Sequence, residues 1–231
     1  MFKKKGKTSL LRYLIAEHKP QSPISEQYRT IRTNIDFSSL DQEIRSMVIT
    51  SSEAGEGKST TAANLAVVFA QAGKKVLLVD SDLRKPTIHH TFQVDNSYGL
   101  SNIILKQRTM AEAIQETKVD GLSVLTCGPV PPNPSEMLAS KGMKEFLTEA
   151  RQHFEMVILD APPLLAVTDA QILANKCDGT VLVLRSGKTE KEHALKAMAL
   201  LEAAKGKLLG VVLNKKKEKH KHYDSYYGGN H

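Results

Sequence analysis

The chain has 231 residues, 41% of them hydrophobic and 25% charged. That supports one ordinary domain with a full core, and it excludes a disordered chain and a bilayer-spanning helix, since the apolar runs are too short. Lys plus Arg minus Asp plus Glu is 32 − 25 = +7, of which residues 1–22 carry +5, residues 215–231 carry +3 and the body between them −1. The basicity therefore sits in two tails, a pattern that suits an anionic membrane surface, an acidic partner or plain solubility.

In chain order, the first basic stretch, MFKKKGKTSLLRYLIAEHK, contains a broken apolar run and no small-residue cleavage site, so no secretory signal is expected. RSMVITS (45–51) predicts a buried strand. The Ala-rich stretch from Lys58 to Ala72 predicts a helix that stops at Gly73, and KKVLLVD (74–80) a second strand. Further strands are expected at 122–126, 154–160, 180–185 and 208–214, with helices at 140–152, 168–176 and 189–205. GPVPPNPSE (128–136) reads as a rigid loop. Strands apolar on both faces, alternating with helices, predict an α/β fold in which helices cover both faces of a parallel sheet. The expected division is a basic N-terminal segment with a helix over 1–40, a phosphate-loop domain over 41–214, and a flexible basic tail over 215–231. Cys127 and Cys177 make neither a disulfide framework nor a zinc site, which points to a reducing cytoplasm. With 5% aromatics and no Trp, a stacking platform for nucleic acid is not expected.

SSEAGEGKST (51–60) lies where a phosphate loop must lie, between a strand and a helix. Ala54, Gly55, Glu56, Gly57, Lys58, Ser59 and Thr60 are the expected nucleotide-binding residues. The glycines let backbone N–H groups approach phosphate oxygens, Lys58 reaches the β and γ phosphates, and Ser59 ligates Mg²⁺. Ser52 stands where the pattern G-x-x-x-x-G-K-[ST] has its first glycine. VLLVDSDLRKP (76–86) ends a strand in Asp80 and Asp82, followed by Arg84, and MVILDAPP (156–163) ends one in Asp160. Carboxylates at the carboxyl ends of parallel strands point into the ligand crevice. Asp80 and Asp160 are the expected metal carboxylates, Asp82 the candidate for the substrate proton, and Lys58 the charge-stabilising cation. Arg84 can touch phosphate or pair with an acid. Asn214 ends the last strand, where an amide can read a base or form a turn. His89 and His90, on an expected short helix, read as surface or packing residues.

SSEAGEGKST, LLVDSDLRKP and VILDAPP together resemble the Walker A, Walker A′ and Walker B motifs of the bacterial tyrosine kinases found with capsule and exopolysaccharide systems. SEQYRTIRTN (25–34) resembles that family's E-x-x-R-x-x-R oligomerisation motif through Glu26, Arg29 and Arg32, whose three-residue intervals predict that on a helix they lie along one face, and YDSYYGGNH (223–231) resembles its tyrosine cluster through Tyr223, Tyr226 and Tyr227. The resemblance implies transfer of the γ-phosphoryl of Mg-ATP to tyrosine, on the chain itself and on cytoplasmic proteins. It further implies a ring-shaped homo-oligomer, a membrane-anchored modulator that brings the kinase to the inner face of the membrane, and a phosphotyrosine phosphatase. No stable nucleic-acid partner is expected. A switch ATPase of the partition or division-site type is the rival class, but its extra signature lysine is replaced here by Glu53. A carrier of iron–sulfur clusters would want a C-x-x-C pair, which is absent, and a non-catalytic adaptor is the third class.

Overall fold

The computed structural model describes residues 14–38 and 43–216. Its centre is β1 (Ser46–Ser51), whose six residues are all buried. The other strands are β2 (Val76–Asp80), the short β3 (Gln115–Glu116), β4 (Leu122–Leu125), β5 (Met156–Asp160), β6 (Gly179–Arg185) and β7 (Leu208–Asn214). They form one seven-stranded sheet in the order β3-β4-β2-β5-β1-β6-β7. Every pairing is parallel except that of β3 with β4. Expected strand bounds agree within two residues.

Alternation along the strands creates two cores. Val48, Leu77, Val79, Val157 and Leu159 face one side, and Met47, Ile49, Val76, Leu78, Met156 and Ile158 the other. The second side is covered by α3 (Lys58–Ala70), an Ala-rich helix with 11 buried residues out of 13. It is buried all round because α1 (Ile15–His18) and α2 (Pro23–Phe37) form a further layer over it, contributing Ala16, Tyr28 and Ile35 to the same core. Segment 14–38 thus shares the core of the phosphate-loop domain. Helix α2 begins at a serine cap, Ser22, which accepts from the Ser25 N–H, with Pro23 at its first position.

Short helices α4 (Ile88–Phe92), α5 (Leu100–Ile104) and α6 (Met110–Ala113) connect β2 to β3. After β4 come α7 (Pro134–Ala139) and α8 (Lys141–His153), and α9 (Asp169–Lys176) and α10 (Lys191–Ala203) flank β6. Edge strand β7 departs from the doubly covered pattern, with Val211 and Leu213 exposed at 42% and 60%. Both cysteines are free thiols, and burial pushes each up to about 12. Among the described residues no helix is long and apolar enough to cross a membrane.

Candidate active site

Three strand ends assemble the site. Asp80 and Asp160 are register partners on β2 and β5, and Ile49 on β1 is the other register neighbour of Asp160. Partners in register project to the same face, so both carboxylates turn toward the α3 side, where β1 passes into the phosphate loop. The loop closes through two left-handed glycines, Gly55 at φ 81° and Gly57 at φ 101°, a conformation that only glycine adopts without cost. A Cβ on Gly57 would also lie 2.0 Å from Asn214 Nδ2. Such a curled loop at a helix N-terminus turns successive N–H groups toward an anion.

Lys58, the first residue of α3, donates to Asp82 Oδ2 at 2.9 Å, to Asp160 Oδ1 at 3.2 Å and to Ser59 Oγ at 3.3 Å. Burial opposes its charge, yet Asp160 and Asp82 hold the ammonium above the ordinary lysine range. Asp80 is fully buried, and its Oδ2 accepts from the Thr87 and Ile88 N–H groups at 2.8 Å each. Burial, with the neighbouring Asp160 charge, raises it to about 7. Burial also raises Asp160, against the pull of Lys58. Asp82 accepts from the Lys85 N–H through Oδ1. Asp80 Oδ1 and Asp160 Oδ2 are buried with no hydrogen-bond partner. Two such oxygens beside a serine hydroxyl and an anion cradle fit a hard, oxygen-seeking cation held between protein and phosphate.

Other expected site residues have their own partners. Arg84 forms a two-point ion pair with the buried Asp169 on α9, Nε at 2.9 Å and Nη2 at 3.0 Å, and Ser135 donates to the same carboxylate at 2.6 Å. Of the two alternatives for Arg84, pairing with an acid is the one present. Asn214 Nδ2 donates to the Glu56 carbonyl at 2.8 Å, so its amide rests on the phosphate loop. Among the three residues expected to oligomerise, Glu26 pairs with Arg29, which also donates to the Pro20 carbonyl at 2.8 Å. Arg32 differs from the shared face expected of the three. It falls in the inward row with Ser25, Tyr28 and Ile35, and donates to Val68 O in the last turn of α3 at 2.9 Å, where a cation suits the helix dipole. Tyr223, Tyr226 and Tyr227 lie outside the described residues.

Sequence reasoning missed Asp169, Ser135 and Thr189, the last of which donates to the Glu56 carboxylate. Each is a polar residue with no motif of its own, and only the packing of α7, α9 and the β6–α10 loop brings it to the site. The expected pattern did point to Glu56, but for its backbone; its side chain is turned inward and 4% exposed.

A phosphate loop, a strand-end carboxylate pair and a parallel sheet with this strand order define a phosphate-loop, ATP-binding protein, and residues 44–201 match the AAA domain family. The chain is 58% identical to tyrosine-protein kinase YwqD of Bacillus subtilis, over 94% of this chain and 92% of that protein. It is 39% identical to tyrosine-protein kinase CpsD of Streptococcus agalactiae serotype III, over 84% and 83%. Among solved structures, the chimerical protein CapA2B2 superposes with a TM-score of 0.86 at 44% identity, over 90% and 92% of the two chains. The kinase domain of the Escherichia coli tyrosine kinase ETK gives 0.84 at 31%, over 96% and 88%. The chain belongs to the bacterial tyrosine-protein kinase family.

Proposed function

We propose that this chain transfers the γ-phosphoryl of Mg-ATP to tyrosine hydroxyls, first on the tail cluster Tyr223, Tyr226 and Tyr227 of a neighbouring copy and then on other cytoplasmic proteins. The observation that carries the reading is the convergence of Lys58, Asp82, Asp160 and Asp80 at the mouth of the phosphate loop. Phosphoryl transfer asks for positioning and charge stabilisation rather than covalent chemistry. In this reading the loop N–H groups bind the phosphates, and Lys58 exchanges carboxylate for phosphate oxygen. Asp82 orients the tyrosine hydroxyl and takes up its proton, a task its hydrogen bond from the Lys85 N–H helps to aim. Ser59, Asp80 and Asp160 would hold Mg²⁺, which neutralises charge on the phosphates when bound.

Transfer in trans is supported by where the tail starts. β7 ends at Asn214, and Lys215 at φ 56° turns its amine onto the Gly55 carbonyl at 3.2 Å. The tail thus leaves at the rim of the site. Nine residues from Lys215 to Tyr223 reach at most about 30 Å. That span suits a neighbour's site, whereas the chain's own would require a tight reversal.

The chimera's likeness supports a CapA-type membrane modulator as partner and a place at the inner face of the membrane, and the names of the relatives support a role in capsule or exopolysaccharide production. A phosphotyrosine phosphatase would close the cycle, and a ring built through Glu26, Arg29 and Arg32 would place each tail beside the next site. The cell-division ATPase MinD of Pyrococcus furiosus shares the fold at 27% identity, TM-score 0.63, over 73% of this chain and 71% of that chain. Glu53 lies where that rival class carries its signature lysine, and its carboxylate sits 3.2 Å from His193. Mass spectrometry after incubation with Mg-ATP, with and without the modulator's cytoplasmic segment, tests the proposal. Phosphate on the tail tyrosines is expected. ATP hydrolysis with no phosphotyrosine would establish the switch ATPase instead.

A further inference from the structure

Ser52 departs from the phosphate-loop pattern, and the structure gives the departure a partner. The Ser52 hydroxyl, fully buried, reaches both oxygens of Glu56 at 3.0 and 2.9 Å. Glu56 Oε2 also accepts from the Glu53 N–H at 2.9 Å, and Oε1 accepts from the Thr189 hydroxyl. A carboxylate inside a loop built to receive phosphates would repel them unless it were turned away and fully engaged. This one is engaged by two donors from the start of its own loop and by one from outside it. Burying a carboxylate costs several kcal/mol unless donors replace water, and its place one residue ahead of Gly57, the N-cap of α3, lets the helix dipole help.

Thr189 has no freedom in this arrangement. Its Oγ1 accepts from the Arg185 N–H at 2.8 Å, which directs its proton to Glu56. Arg185 ends β6, the direct neighbour of β1 in the sheet. The bond therefore ties the phosphate loop to the rigid sheet on the side opposite β5.

We propose that Ser52, Glu56 and Thr189 are positioning residues that hold the phosphate loop in its anion-accepting curl, so that nucleotide binding does not have to bear the cost of ordering it. This deepens the kinase reading by naming what sets nucleotide affinity, and rests on that reading only for the use made of the nucleotide. Glutamine does not reproduce Glu56: with its oxygen on the Glu53 N–H, its NH₂ faces the Ser52 and Thr189 hydroxyls, so the charge is lost and the Thr189 bond to residue 56 is reversed.

The test measures Mg-ADP affinity by titration calorimetry, and the melting temperature without nucleotide, for wild type, Thr189→Val, Thr189→Ser, Glu56→Gln and the Glu56→Gln, Thr189→Val double variant. Thr189→Val and Glu56→Gln should each weaken ADP binding about tenfold or more, the scale of one hydrogen bond to a charged group. Thr189→Ser should restore affinity to within about twofold, and the double variant should bind about as Glu56→Gln alone, because both changes break one bond. A folded Thr189→Val chain that binds ADP as wild type overturns the proposal, as does a lowered melting temperature with unchanged affinity. Should Glu56→Gln not fold, Thr189→Val, a change of nearly unaltered shape on a half-buried loop residue, decides alone. Binding that responds to Thr189→Val in a chain that forms no phosphotyrosine would refute the kinase reading and leave this inference standing. Phosphotyrosine formation with ADP binding indifferent to Thr189 would do the reverse.

Discussion

Lys58 Nζ and Asp82 Oδ2 lie 2.9 Å apart, joining the first residue of α3 to the loop that follows β2. The same ammonium is 3.2 Å from Asp160, so one cation serves two carboxylates with a third, Asp80, close by. Replacing Lys58 by Met removes the cation that the transition-state charge would meet. Lys58→Met should lower tyrosine transfer by about a thousandfold or more, with a wild-type far-ultraviolet circular dichroism spectrum. Near-wild-type transfer would remove Lys58 from the chemistry.

Asp82 and the pair Asp80 and Asp160 should separate in kinetics. Asp80→Ala and Asp160→Ala take away the oxygens proposed for Mg²⁺ and should weaken Mg-ATP binding as well as transfer. Asp82→Asn should lose transfer, about a hundredfold or more for a general base, while Mg-ATP affinity measured by calorimetry stays close to wild type. Equal losses of affinity in all three would assign Asp82 to the metal.

The raised Asp80 carboxyl predicts a pH signature in stability. Burial, with Asp160 second, lifts it from the ordinary 3.8 to about 7, so between those values the folded chain holds a proton that the unfolded chain has released. Its contribution is fully present below the unfolded pKa and is lost as pH rises through about 7. Asp80→Asn, which mimics the protonated form, should therefore melt above wild type at pH 8 in chelator-treated buffer. The advantage should shrink as pH falls to 5, a difference of a few kcal/mol at most. A gap that widens on acidification would contradict the sign.

The residues proposed for oligomerisation divide into two environments. Arg29 and Glu26 pair on the outer side of α2, with Glu26 57% exposed, whereas Arg32 joins α2 to α3 through Val68. Arg29→Ala should reduce assembly in sedimentation velocity with little change in melting temperature. Arg32→Ala should reduce assembly and also lower the melting temperature by several degrees, since it frees a helix-end carbonyl. Unchanged assembly in both would remove the motif from the interface.

Much of this was legible in the residues, for identifiable reasons. β1, β2, β5 and β6 are short apolar runs, β2 and β5 ended by a carboxylate and β1 and β6 followed within four residues by a glycine, and doubly buried strands admit few other residues, so they and the phosphate loop stand out. Helices α4, α5 and α6, of four or five residues each, show no period and went unread, His89 and His90 on a short helix excepted. The ligand crevice was legible because strand ends carry its carboxylates in sequence order. The partners of Arg84 and Glu56 were not, since Asp169 is 85 residues from Arg84 and Thr189 133 from Glu56, and such pairings exist only once the sheet order is known. The exposed face of β7 was missed because an edge strand and a central strand read alike when both are apolar.

The central claim, tyrosine transfer between copies, is tested most directly by mixing two chains. One carries Lys58→Met with its tail intact, and the other is active with Tyr223, Tyr226 and Tyr227 all changed to Phe. Each phosphate adds about −1.5 to −2 charges at neutral pH, so three reverse the tail's formal +3 and should eject it from the neighbouring site. Transfer in trans predicts phosphotyrosine on the inactive chain, with the assembly shrinking in light scattering as it accumulates. An inactive chain that stays unlabelled in the mixture, while wild-type chain under the same conditions becomes labelled on its tail, would contradict it.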